Sequence, residues 1–193
     1  MDDNTKTEDI PRLISLDAGI GRMPFGRDEM LTEEQAGRKR KALVYFQLAY
    51  KAQMGGELDE AVDLYRRSIE EYSTAEAHTF LGWTYSFMGL TDEAIEECRL
   101  AIEVDPDFGN PYNDIGAYLI EKKEYAAAII WLEKAKESRR YEAVFYPYFN
   151  LGRVYEARRE FFAALREYKA AMELNPDYTL AVRAFRRVQS LLN

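Results

Sequence analysis

A short module written four times constrains the fold of this chain more than any other feature. Leu81-Gly82-Trp83-Thr84-Tyr85 is followed by Ala94, by Ala101 and by Asp105-Pro106-Asp107. Leu151-Gly152-Arg153-Val154-Tyr155 is followed at the same offsets by Ala164, by Ala171 and by Asn175-Pro176-Asp177. Two weaker copies fit the same skeleton, so the chain divides into residues 42–74, 75–108, 109–144 and 145–178. A period of about 34 residues marks a stacked architecture, in which each unit buries its apolar face against its neighbours.

The residue types suit two antiparallel helices in close contact. The twentieth place of every copy is alanine (Ala61, Ala94, Ala128, Ala164), and the eighth is Ala49, Gly82, Gly116 or Gly152. Side chains that small let helix backbones approach. Large residues fill the space between helices at the fourth place (Tyr45, His78, Tyr112, Tyr148) and the seventh (Leu48, Leu81, Ile115, Leu151). The twenty-fourth place (Tyr65, Cys98, Leu132, Tyr168) does the same. Thr32 with Gln35 three residues on has capping-box form and predicts a helix from there to Met54, stopped by Gly55-Gly56. Paired helices are predicted near 58–72, 75–88, 91–104, 111–122, 125–138, 146–158 and 161–174. A last helix from Thr179 to Leu192 puts Ala181, Phe185, Val188 and Leu192 on one stripe, as a terminal cap requires.

Over residues 42–178 this pattern resembles the tetratricopeptide repeat family. Copies two and four match it well. Copy one has Ser73 where the family has proline and is one residue short; copy three carries about two extra residues and also lacks the proline. The resemblance implies an all-α fold, a right-handed superhelical solenoid of antiparallel helix pairs. The expected organisation is a flexible or extended arm over residues 1–31 and a repeat domain over residues 32–193, whose capping helix spans 179–193. The arm is not a plain linker, because Ile10, Leu13, Ile14, Leu16, Ile20, Met23, Phe25, Met30 and Leu31 run through it.

Composition narrows the function. Apolar residues make up 47% of the 193, enough for a continuous core. The lone cysteine, Cys98, excludes an intramolecular disulfide framework. Met1-Asp2-Asp3-Asn4 is acidic and opens no apolar leader, so a cytoplasmic setting is expected. No apolar run approaches the ~18–20 residues that span a bilayer, so no membrane span is expected. Residues 42–130 hold 17 acidic and 6 basic groups, whereas residues 131–193 hold 8 and 12. An acidic middle disfavours nucleic acid as a partner, because phosphate binding needs a concentrated basic surface. The asymmetry leaves open a head-to-tail contact between copies.

In the family this chain resembles, the first helix of each pair lines a concave surface. The resemblance therefore implies a groove formed by Phe46, Tyr50, Trp83, Phe87, Asn110, Asn113, Tyr146, Phe149 and Arg153. Aromatic side chains at these places are not demanded by the repeat skeleton and can anchor a ligand. Asn110, Asn113 and Arg153 can hold the backbone of an extended peptide. The expected function is a non-catalytic adaptor binding a peptide of a protein partner. Two other readings stay open: a small chaperone for a secreted client, and a self-associating structural protein. Intramolecular docking of the arm in the groove is a further expectation. The two-carboxylate clamp that some family members use on chaperone tails is not expected, since its lysines and arginine are missing from the corresponding places.

Catalysis is not expected. His78 is the only histidine and stands at a skeleton place, as does Cys98, so both read as packing residues. One of each cannot build a zinc site without converging carboxylates, and no metal or cofactor is expected. Gly19-Ile20-Gly21 lacks the third glycine and the strand context of a dinucleotide loop.

Overall fold

The computed structural model describes residues 30–192. The arm expected over residues 1–31 lies outside these apart from Met30 and Leu31. The described chain forms α1 (Glu33–Gly55), α2 (Leu58–Glu71), α3 (Ala75–Phe87), α4 (Thr91–Val104) and α5 (Asn110–Glu121). It continues with α6 (Tyr125–Glu137), α7 (Phe145–Ala157), α8 (Phe161–Leu174) and α9 (Thr179–Ser190). Helices α1 to α8 form four hairpins, each packed on the next, and α9 closes the stack against α8. This all-helical solenoid agrees with the expected fold class.

Helix ends follow local chemistry. Thr32 Oγ1 accepts from the Gln35 amide at 3.2 Å and Gln35 Oε1 accepts from the Thr32 amide at 2.9 Å, which completes the capping box. Thr74 caps α3 by accepting from the Ala77 amide. All four hairpin turns share one geometry. The amides of Glu57, Leu90, Glu124 and Glu160 reach back to the carbonyls of Ala52, Tyr85, Leu119 and Tyr155. The residue before each is left-handed, and glycine serves at Gly56 and Gly89. Lys123 (φ 61°) and Arg159 (φ 62°) adopt the same conformation despite their Cβ atoms, a local strain of about 1 kcal/mol each.

The small places do what their size suggests. A Cβ on Gly116 would lie 2.5 Å from Leu132, and one on Gly152 would lie 2.4 Å from the Tyr168 ring. Ala61, Ala94, Ala128 and Ala164 are completely buried beneath these contacts, as are Tyr65, Cys98, Leu132 and Tyr168. At the seventh place Leu81, Ile115 and Leu151 are buried, but Leu48, on the first described helix, is exposed. The cap also differs in detail. Ala181, Ala184 and Val188 are buried, whereas Leu192 lies beyond the end of α9 and is exposed.

The extra length of copy three forms the connection between α6 and α7. There the backbones of Phe108 and Arg140 form an isolated bridge, with the Gly109 amide donating to the Arg140 carbonyl at 3.1 Å. The Tyr141 ring lies over Gly109, where any Cβ would collide with it. The connection is thereby pinned to the inner edge of the second repeat.

Candidate functional site: the inner face of the solenoid

The first helices of the hairpins, α1, α3, α5 and α7, carry the side chains expected to line the groove. The structure gathers their rings into two groups rather than one row. In the first, Phe46 stands edge-on to Phe80 at 5.1 Å, Tyr50 meets the same ring at 5.9 Å, and Trp83 meets it at 5.2 Å. Phe87 extends this group, 6.2 Å from Trp83. In the second, Tyr146 and Phe149 both meet Tyr178 in T-shaped pairs, at 5.4 and 5.1 Å. Between the groups lies α5, which brings Asn110, Asn113 and Ala117 and no ring to the expected face.

Exposure separates these residues further. Phe87 is 41% exposed, Tyr50 and Arg153 are half-buried, and Trp83 is only 4% exposed. Phe46, Asn110, Asn113, Tyr146 and Phe149 are also buried. Most of the expected anchors are thus packed against neighbouring rings, and Phe87 and Tyr50 offer the accessible aromatic surface. The packing is physically reasonable, because edge-to-face pairs stabilise aromatic side chains beyond simple burial. Phe80 and Tyr178, which hold the two groups together, do not occupy expected groove places.

A polar ladder crosses the gap between the ring groups. Arg153 Nη1 donates to Asn150 Oδ1 at 3.0 Å, and Asn150 Nδ2 donates to Asn113 Oδ1 at 2.9 Å. Asn113 Nδ2 points on to Asp114 Oδ1 at 3.4 Å, a long contact. Asp114 is sealed in the interior, and burial pushes its carboxyl up to about 8, so it is protonated at neutral pH. Nothing in the sequence marked Asn150 or Asp114, since each sits among skeleton residues of its helix. Among the described residues, Gln53 Nε2 and Trp83 Nε1 are buried donors that meet no hydrogen-bond acceptor. They sit on adjacent first helices, and Gln53 Oε1 is already engaged by the Tyr65 hydroxyl at 2.7 Å.

One edge of the inner face is charged. Arg140 places Nη1 2.6 Å from Glu76 Oε1, at the start of α3, and Nη2 2.8 Å from Asp105 Oδ2, at the end of α4. Its guanidinium also lies 4.2 Å from the Phe108 ring centroid. His78 lies behind this face, with Nδ1 2.7 Å from Glu97 Oε2 and Nε2 3.0 Å from Ser73 Oγ. Cys98 is completely buried, and burial raises its thiol well above the usual range. Among the described residues no group of His, Cys, Asp and Glu gathers that could hold a metal ion. No helix among them is long and apolar enough to cross a membrane.

Comparison with known proteins places this architecture. No curated protein matches the sequence. Several solved structures share the fold. A Pseudomonas aeruginosa pilF structure is 24% identical and superposes with a TM-score of 0.74, covering 79% of this chain and 69% of that one. A MamA structure is 23% identical with a TM-score of 0.64, covering 77% and 81%. The structure of YrrB, described as a TPR protein with an unusual peptide-binding site, is 17% identical with a TM-score of 0.62, covering 75% and 74%. Tetratricopeptide repeat models match residues 40–75, 75–108 and 145–178, and α5 and α6 supply a further hairpin of the same form between them. The chain belongs to the tetratricopeptide repeat family.

Proposed function

We propose that this protein is a non-catalytic adaptor whose inner face holds an extended peptide of a protein partner. A protein–protein interaction scaffold follows from the family and its fold. The observation that carries the finer reading is the pair of buried donors, Gln53 Nε2 and Trp83 Nε1, without acceptors among the described residues. An orphaned buried donor costs about 1–3 kcal/mol. A main-chain carbonyl of a bound peptide removes that cost at each. Phe87 and Tyr50 then supply apolar contact at one end, and Arg153 a cation at the other. YrrB, a protein of this fold, is described as having an unusual peptide-binding site, which supports the reading. A cytoplasmic setting goes with this reading.

The test is to select peptides against the intact chain from a displayed library and measure their affinity by calorimetry. Trp83→Phe removes the N–H and keeps a ring, and Phe87→Ala removes exposed apolar surface. Each is expected to weaken binding by about tenfold, the equivalent of one good hydrogen bond or one ring contact. Selected peptides that bind both variants as well as the native chain would place the site elsewhere and end the proposal.

A further inference from the structure

The inner face is closed more tightly than a stack of hairpins requires. The helices packed against α3 are α1, α2 and α4, with α4, α6 and α7 against α5. All are hairpin partners or neighbours along the stack, and in a solenoid such neighbours lie beside and behind the inner helix. Yet the inner residues Thr79, Ala117 and Asn113 are 0%, 0% and 1% exposed. The α6–α7 connection covers the starts of α3 and α5 through Arg140 and Tyr141, and Asn150 covers Asn113; Thr79 and Ala117 lie further along these two helices.

We propose that the segment from Ile10 to Phe25 occupies the inner face as an intramolecular ligand. The inference rests on the peptide-groove reading above and names that groove's resident occupant. Its first support is where the described chain begins. Arg38 donates to the Glu70 carbonyl at 2.8 Å and Lys41 pairs with Glu71, so the first turns of α1 lie beside the end of α2, which leads directly into α3. The preceding residues are therefore delivered to the edge where the inner face starts. Reach is sufficient. Four inner helices at 8–10 Å spacing span about 30 Å, which about ten extended residues cover. Sixteen residues lie between Ile10 and Phe25 inclusive, with Gly26 to Leu31 left as tether.

The chemistry of the segment fits as well. Ile10, Leu13, Ile14, Leu16, Ile20, Met23 and Phe25 are spaced along it, and Arg12 and Arg22 outnumber its one acid, Asp17. Glu76, Asp105 and Asp107 stand at the receiving edge with Arg140. A tethered segment has an effective concentration in the millimolar range. It therefore holds the groove with weak contacts, and a partner must bind better than that to displace it. The arm then acts as a competitive threshold on partner binding.

Fluorescence of the full chain tests this. Trp83 and Trp131 are its only tryptophans, so Trp131→Phe leaves Trp83 as the reporter. Adding Leu13→Asp, Leu16→Asp and Ile20→Asp is expected to shift Trp83 emission to the red and raise acrylamide quenching severalfold. A synthetic peptide of residues 8–27 with the native sequence is expected to reverse both in the triple variant and to leave the parent unchanged. Emission and quenching identical in parent and triple variant would overturn the arm proposal and leave the groove to its own test. Exposure of Trp83 that library-selected peptides reverse but the native arm peptide does not overturns the arm proposal alone, and exposure that neither reverses overturns the peptide-groove reading with it.

Discussion

Asn150 on α7 donates its side-chain amide to the Asn113 carbonyl oxygen on α5, 2.9 Å away, and so links the inner helices of two successive repeats. Arg153 holds the Asn150 oxygen from the other side. Both asparagines are buried, so the bond has no ready substitute in water.

Asn150→Leu leaves the Asn113 oxygen sealed without its donor. It is expected to destabilise the fold by about 1–3 kcal/mol, measured by urea unfolding. Replacing Asn113 as well removes the orphan. The double variant Asn113→Leu/Asn150→Leu is expected to be less destabilised than the sum of the singles, by about 0.5–3 kcal/mol. Additive losses would show that the two side chains act independently.

Asp114 predicts a pH dependence. Its carboxyl titrates near 3.9 in an unfolded chain, and burial pushes it up to about 8 in the fold. The folded state keeps a proton that the unfolded state releases across that window. This contribution to stability is therefore fully present below about pH 4 and declines as pH rises towards 8. Asp114→Asn cannot ionise. It is expected to be more stable than the native chain at pH 7, by about 1–3 kcal/mol, with the gap closing near pH 4. Thermal unfolding across pH checks this, and parallel profiles for the two chains would refute it.

Arg140 pairs with two carboxylates, Glu76 and Asp105, that are buried and distant from it in sequence. Arg140→Ala is expected to cost about 2–4 kcal/mol, short of the full loss for a wholly buried pair because the guanidinium is partly exposed. Arg140→Lys is expected to recover less than half of this, since an ammonium cannot fork between two acceptors. Hydrogen exchange in residues 138–144 is expected to rise in both variants. Unchanged protection would mean that the bridge to Phe108 holds the connection without the ion pairs.

The skeleton of the fold is legible in the sequence because helix contact distance is set by side-chain size. Ala94 and Gly152 announce close approach wherever they stand, and Thr32 and Gln35 announce a helix start through bonds only three residues long. Local chemistry of this kind needs no knowledge of the rest of the molecule. The state of the inner face is different. The place of Trp83 in the repeat puts it on that face, but its burial depends on neighbours such as Phe80 and Phe87. The split into two ring groups arises because Tyr178, from the turn before α9, inserts beside Tyr146 and Phe149 while α5 brings no ring. Arg140 finds Glu76 across 64 residues, and Leu48 is exposed at the repeat place where Leu81, Ile115 and Leu151 are buried. Repeat position tells which way a side chain points. Only the assembled tertiary structure decides what it meets there, because burial is a property of the surroundings and not of the residue.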